Sequence, residues 1–250
     1  MEIKVSIIIP VYNAQTFLEE TILSVIGQEE TDWELLLVDD HSTDDSPGVI
    51  ERFAALDKRI KPVLQEENRG AAAARNRGVA LSSGRYIAFL DADDLWSPRR
   101  LSAELAFMKE RKAGFVFSGY EFADEQGKGT GRVVRVPPTL SYRQALKNTT
   151  IFTSTVLFDT TVIPKELIRM PLVKSEDTAA WWNILRHGYT AYGLDENLVL
   201  YRRSTGTLSA NKVEAVRRIW HLYRKVEGLS AVYSFYNFMF YAVRAVLRRV

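Results

Sequence analysis

Three apolar runs, each breaking into polar or acidic residues at its carboxyl end, constrain this chain more than any other feature. Residues 5–9, β-branched apart from Ser6, end at Pro10-Val11-Tyr12-Asn13. Residues 34–38 end in Asp39-Asp40, and residues 86–90 run into Asp91-Ala92-Asp93-Asp94. Short unbroken apolar runs of this kind suit strands buried on both faces. Between them lie segments with helical spacing. Phe17, Ile22 and Val25 mark a helix over 16–26. A second spans 42–55, with Ser42 or Thr43 as its N-cap, and an alanine-rich helix over 70–81 closes at Ser83-Gly84. Residues 60–64 read as a further strand. A helix after the fourth strand starts near Ser97-Pro98, because proline suits a first turn. The β-α-β-α-β-α-β order predicts an α/β fold with a mostly parallel, doubly wound sheet. Ligands of such sheets bind outside the carboxyl ends of the strands, where all three polar clusters fall.

The second half is less regular. Residues 115–122 and 132–136 form a predicted hairpin across the turn at 127–131. A strand is predicted over 153–158, a helix from Ser175-Glu176-Asp177-Thr178 to His187 with Gly188 as its stop, and a last strand over 198–202. With 250 residues, 46% of them hydrophobic, the chain can bury a large core. A net charge of +2 says little about partners, and nothing points to nucleic acid. The absence of cysteine excludes disulfides, thiolate metal sites and cysteine nucleophiles. The apolar run at the N-terminus is too short for a signal peptide, so a cytoplasmic protein is expected.

The acids at strand ends suggest chemistry. Asp91-x-Asp93 offers hard oxygen ligands suited to Mg²⁺ or Mn²⁺, which keep waters and accept diphosphate oxygens. The plainer alternative is a solvated loop leading into a helix. Asp40 could accept hydrogen bonds from a nucleobase or ribose, or cap the next helix. Tyr12 could stack on a base, or cover the sheet edge. Arg69 of Asn68-Arg69-Gly70 could meet a diphosphate or base, whereas Arg75 and Arg77 read as structural or solvent-facing. Glu176 and Asp177 complement a helix dipole. In the functional alternative Asp177 is a general base, with Glu176 nearby and one of Trp181 and Trp182 stacking on an acceptor sugar. A buried core position is the more ordinary role for at least one of the two tryptophans. Arg202-Arg203 and Ser209 could close over a diphosphate, the plain alternative being a surface basic pair.

Taken together, Val-Ser-Ile-Ile-Ile-Pro-Val-Tyr-Asn-Ala at 5–14, Val-Asp-Asp-His-Ser-Thr-Asp at 38–44, Asn-Arg-Gly at 68–70, Ala-Arg-Asn-Arg-Gly at 74–78 and Gly-Arg-Tyr-Ile-Ala-Phe-Leu-Asp-Ala-Asp-Asp at 84–94 resemble the family 2 glycosyltransferases of bacterial surface-polysaccharide synthesis. The resemblance covers about residues 4–210. It implies a GT-A fold: a Rossmann-like nucleotide-binding half, an acceptor-binding half, and inverting transfer from a nucleotide-diphosphate sugar, a UDP-sugar above others. It places Pro10, Tyr12, Asn13, Asp40, Arg69, Asp91 and Arg202 around the nucleotide, Asp93 on the metal and Asp177 as base. The acceptor would be an envelope glycan or a polyprenyl-linked sugar. Two departures stand out: His41 replaces the glycine of the common Asp-Asp-Gly-Ser, and Ser204 stands where many members carry histidine.

The expected organisation is a catalytic domain over 1–211 and a helical extension over 212–250. In the extension, Val216, Ile219, Trp220, Tyr223 and Val226 share one helical face. Residues 229–243 are uncharged and crowded with aromatics, and Arg244, Arg248 and Arg249 follow. This segment is short for a spanning helix. It suits an interfacial helix on the inner face of the cytoplasmic membrane, or a helix packed on the domain or across a homodimer. Rival enzyme classes lack their signatures. Pro-Val-Tyr-Asn replaces a dehydrogenase's Gly-x-Gly-x-x-Gly, no P-loop is present, and the glycine-rich loop of a sugar nucleotidyltransferase is missing. A non-catalytic nucleotide-sugar-binding or membrane-associated protein remains as the other alternative.

Overall fold

The structure is a computed structural model that describes residues 4–147, 150–203 and 212–247. Strand β1 (Val5–Val11) forms the spine of one large sheet. Helix α1 (Leu18–Ile26), β2 (Trp33–Asp39), α2 (Ser46–Leu56), β3 (Ile60–Leu64), α3 (Ala71–Leu81) and β4 (Tyr86–Phe89) follow. Next come β5 (Leu95–Trp96), α4 (Arg100–Arg111), β6 (Phe115–Ala123), β7 (Gly129–Val134), β8 (Thr139–Leu140), α5 (Tyr142–Ala145), β9 (Val156–Asp159), α6 (Lys165–Ile168), α7 (Glu176–Arg186) and β10 (Ala191–Arg202). Helices α8 (Lys212–His221) and α9 (Ala231–Leu247) end the chain, joined through a π-turn at Leu222–Val226.

The strand order is β3-β2-β1-β4-β9-β6-β10-β5, with β7 on β6 and β8 on β10. Strands β1 to β4 are mutually parallel, β9 enters antiparallel between β4 and β6, and β10 is parallel to β6. The order reverses between β1 and β4. That reversal splays the following loops apart and opens a crevice.

Side chains alternate between two cores, as the period of a strand requires. Ile7, Ile9, Leu35 and Leu37 face a layer completed by α1, α2 and α4. Ile8, Leu36, Val38 and Phe89 face a layer completed by α3, α7 and the C-terminal segment, whose Ile219, Leu222 and Tyr223 are wholly or almost wholly buried there. Both faces are therefore covered, which explains the continuous apolar runs. Helix α3 is alanine-rich because it lies close on β1: a Cβ at Gly78 would stand 2.4 Å from Ile8 Cγ2.

Three local departures from expectation have visible causes. Residues 42–45 are loop rather than helix, because their side chains are committed to the β1 loop: Ser42 Oγ accepts from Asn13 N–H and Asp44 from Gln15 N–H. Residues Thr153–Thr155 form a 3₁₀ turn instead of the start of a strand. Thr155 Oγ1 donates back to the Phe152 carbonyl, and Ser154 is held under the acidic loop. Strand β10 begins seven residues before the expected 198, because exposed Asp195-Glu196-Asn197 and the register shifts around them hide its pattern.

Candidate active site

The loops after β1 and β2 are stitched together. Asn13 Oδ1 accepts from Thr43 N–H at 2.8 Å, and Ser46 Oγ accepts from Ala14 N–H at 2.9 Å. Asn13 and His41 both adopt positive φ, 49° and 63°. His41 thus occupies a conformation that suits glycine, at a cost of order 1 kcal/mol. Asp40 is buried and faces a third loop. Its carboxylate accepts from the N–H groups of Arg69 (2.9 Å) and Gly70 (2.7 Å). Arg69 itself turns outward: its guanidinium is exposed and pairs with Glu67 at 2.7 Å, so its side chain is not brought to the cleft.

These loops wall a cleft of about 430 Å³ lined by Pro10, Tyr12, Asn13, Asp40, Arg75, Asp91 and Asp93, among others. The size suits a nucleotide. Tyr12 is 51% exposed at its rim, leaving a ring face available for stacking. Larger hollows of about 630 and 760 Å³ lie elsewhere, away from the converging acids.

The acidic loop after β4 divides its carboxylates among three environments. Asp91 pairs with Arg75 Nη2 at 2.6 Å, and its N–H donates to Ser154 Oγ at 3.0 Å. Asp94 is fully buried and accepts from Ser154 Oγ at 2.5 Å and Arg202 N–H at 3.1 Å. Burial, with Asp93 and Asp91 adding, pushes its carboxyl well above the usual range. Asp93 has no cationic hydrogen-bond partner among the described residues. Burial first and Asp91 second push it up to about 6. A sunken carboxylate among like charges, short of a counter-charge, fits a cation. No three His, Asp or Glu side chains gather into a ready cage among the described residues. An ion held by Asp93 would need substrate oxygens and water to complete its shell, a demand that Mg²⁺ and Mn²⁺ meet.

Of the two readings of Arg75, structural or solvent-facing, the structure shows the first. Arg75 is buried on the inward stripe of α3, and its guanidinium bridges Asp91 and, through Nη1 at 3.0 Å, Glu176. Burial works against its charge, but Asp91 and Glu176 outweigh that and raise its pKa. The available signal was its spacing, three residues after Ala72 and four before Val79, both buried. Across the bridge, Ser175 enters α7 with φ of 59°, and Glu176 is raised by burial and then by Asp177. Asp177 accepts from Thr153 Oγ1 at 3.2 Å. Sequence reasoning did not single out Thr153 or Ser154, since nothing local ties that turn to the acids.

Packing decides between the two readings of the α7 tryptophans. Trp181 and Trp182 are 2% and 1% exposed and offer no face to an acceptor sugar. Trp181 packs on Phe89, Phe115 and Phe158, and Trp182 stacks on Tyr223 at 5.1 Å and 8°. The inward face of α7 fills the core between the sheet aromatics and the C-terminal segment. Arg202 is also buried. It pairs with Glu20 at 2.6 Å, lies over the Phe17 ring, and adds positive potential at Asp93. Ser204 and Ser209 lie outside the described residues.

A family model described as glycosyl transferase family 2 matches residues 6–161, which include the loops of the cleft and the acidic turn. The chain belongs to glycosyl transferase family 2. Among its family 2 relatives, TuaG of Bacillus subtilis (strain 168), whose name places it in teichuronic acid biosynthesis, is 39% identical over 247 residues, 98% of this chain and 97% of TuaG. The Escherichia coli UDP-Glc:alpha-D-GlcNAc-diphosphoundecaprenol beta-1,3-glucosyltransferase WfaP is 34% identical over 98% of this chain and 94% of its own length. The mannosyltransferase PcManGT of Pyrobaculum calidifontis, solved with GDP-Man and Mn²⁺, superimposes with a TM-score of 0.71 at 20% identity, covering 91% of this chain and 65% of that one. The fold is GT-A, and the protein is a glycosyltransferase.

Proposed function

We propose that the protein transfers a sugar from a UDP-sugar to a hydroxyl of a lipid-linked or other cell-envelope glycan, with inversion at the anomeric carbon. The observation that carries this is the convergence of Asp91 and Asp93 with Glu176 and Asp177 about the buried Arg75, at the point where the strand order reverses. The relatives lend the donor and acceptor classes: WfaP is named for UDP-Glc and a diphosphoundecaprenol-linked sugar.

In this proposal Tyr12 stacks on the base, while Pro10, Asn13 and Asp40 form the wall beside it. Asp93, with Asp91 beside it, would hold a Mg²⁺ or Mn²⁺ ion, which would neutralise charge on the departing diphosphate. Arg202 adds positive charge there. Asp177 takes the proton of the acceptor hydroxyl, and Thr153 orients its carboxylate. The hydroxyl oxygen bonds to the anomeric carbon as the bond to the diphosphate breaks, releasing UDP. Residues 1–211 form the catalytic unit and 212–250 its extension, working at the cytoplasmic side where nucleotide sugars are found. Calorimetric titration of UDP with and without Mn²⁺ tests the donor site. Metal-dependent binding supports the proposal, and absence of UDP binding by folded protein, with or without metal, overturns it.

A further inference from the structure

Helix α9 is mounted inside out. Its polar residues Ser234 and Asn237 are fully buried beside the partly buried Phe238 and Tyr241. Each donates within the helix, Ser234 Oγ to the Ser230 carbonyl and Asn237 Nδ2 to the Tyr233 carbonyl, both at 2.8 Å, while Asn237 Oδ1 is left buried without a partner among the described residues. Its large apolar residues face outward, with Lys147 at one flank donating to the Tyr236 hydroxyl and lying over the Tyr236 and Phe240 rings. Val232, Phe235, Tyr236, Met239, Phe240 and Val243 are 41–83% exposed and recur at the spacing of one helical stripe. A contiguous apolar stripe on a water-facing surface marks an interaction surface.

We propose that this stripe seats the protein on an anionic lipid bilayer, with α9 lying in the plane of the interface. Charge selects the occupant. Residues 229–243 carry no charge, and both ends of the stripe are basic: Arg224 and Lys225 before it, Arg244 and then Arg248 and Arg249 after it. Within 212–250 there are eight Lys or Arg against two Glu, although the whole chain is only +2, so the remainder is net acidic. Both of those Glu already have partners, Lys174 for Glu214 and Arg186 for Glu227. A second copy fits poorly, because parallel or antiparallel pairing of two α9 helices sets basic ends against basic ends. An anionic surface complements both ends, and the rings of Tyr233 and Tyr236 suit the headgroup level. No described helix is long and apolar enough to cross a membrane, so the stripe is limited to lying flat.

The placement bears on the active site. Tyr223, just before α9, stacks on Trp182 of α7, and Glu214 of α8 pairs with Lys174, directly before Ser175. The lipid-seated segment is thus docked on the helix that carries Asp177. A lipid-carried acceptor would then be presented from the same surface, a clause that rests on the proposed function.

The test is co-sedimentation of the whole chain with phosphatidylglycerol-containing vesicles and with pure phosphatidylcholine vesicles. The expected result is binding to the anionic vesicles, weakened by salt and at least tenfold weaker to neutral ones. Phe235→Ser with Met239→Ser, both exposed positions, should weaken binding at least tenfold. Arg244→Gln should weaken it roughly fivefold. Thermal melting and UDP titration, unchanged in these variants, separate this proposal from the donor-site proposal. No binding to anionic vesicles, or binding indifferent to the paired substitution, overturns it. So does a dimer that the paired substitution dissociates while vesicles are ignored.

Discussion

Removing the charge of Arg75 while keeping most of its volume, as Arg75→Met, should uncouple the two acidic elements of the site. The guanidinium is nearly buried, and its partners Asp91 and Glu176 are about one-quarter exposed or less. Breaking one side of a buried ion pair costs roughly 3–5 kcal/mol, because the remaining charges stay desolvated. Partial solvent access to both carboxylates favours the lower end, about 3 kcal/mol. With a urea m-value near 3 kcal/mol/M for a chain of this size, the midpoint should fall by about 1 M. The loss should depend on pH. Glu176 is already raised by burial and by Asp177, and losing Arg75 removes a charge that lowers it, so the folded variant binds a proton more tightly than its unfolded chain. The deficit is then full at pH 7.5 and shrinks as pH falls towards 4. Urea denaturation at pH 7.5 and 4.5 measures both effects, and Arg75→Met with Asp91→Asn should recover part of the deficit at pH 7.5. A loss below about 1 kcal/mol, or one equal at both pH values, would refute the electrostatic argument and leave only packing.

Glu34 offers a second titration. Burial opposes its charge, but Lys61, Ser6 and both donors of Ser83 hold it down to about 2. From an ordinary value of 4.5, that shift contributes about 3 kcal/mol above pH 4.5, lost as pH falls towards 2. Glu34→Gln should lack this acid-dependent loss in a denaturation series. Asp93, pushed up to about 6, should release Mn²⁺ as pH falls below 6, since a proton and the cation compete for one carboxylate. Calorimetry across pH 5–8 should show that fall in wild type, and Asp93→Asn should abolish metal dependence throughout. Trp182→Phe should cost about 1–3 kcal/mol in stability yet leave the acceptor KM unchanged. A raised KM without lost stability would return Trp182 to the acceptor site.

What could be read from the sequence follows from how locally each feature is encoded. The four parallel strands were legible because burial on both faces leaves unbroken apolar runs. The edge that carries Asp40, Asp91 and Asp93 followed from where those runs stop. At position 41 only the replacement of the usual glycine was visible; the positive φ of His41 emerged from the folded loop. Features set by partners distant in the chain were hidden. Arg75 looked like one more polar residue on α3, because Asp91 and Glu176, the charges that bury it, lie 16 and 101 residues away. The sequence left open whether one tryptophan of α7 formed a sugar platform or both lay in the core, and the aromatic cluster of Phe89, Phe115 and Phe158 and the stacked Tyr223 decide for the core. The early start of β10 was masked by a charged bulge. In α9 the aromatic content was plain, but its direction was not: buried Ser234 and Asn237 reverse the usual assumption that polar residues face water.

The central claim, that Asp177 removes the acceptor proton in a cleft that binds the donor by other residues, is tested most directly by Asp177→Asn. UDP-sugar affinity and single-turnover transfer to a lipid-linked acceptor are measured on the same preparation. Affinity within about twofold of wild type, with transfer reduced at least 10²-fold, is the predicted result. Transfer at the wild-type rate with unchanged affinity would contradict it and remove Asp177 as the base.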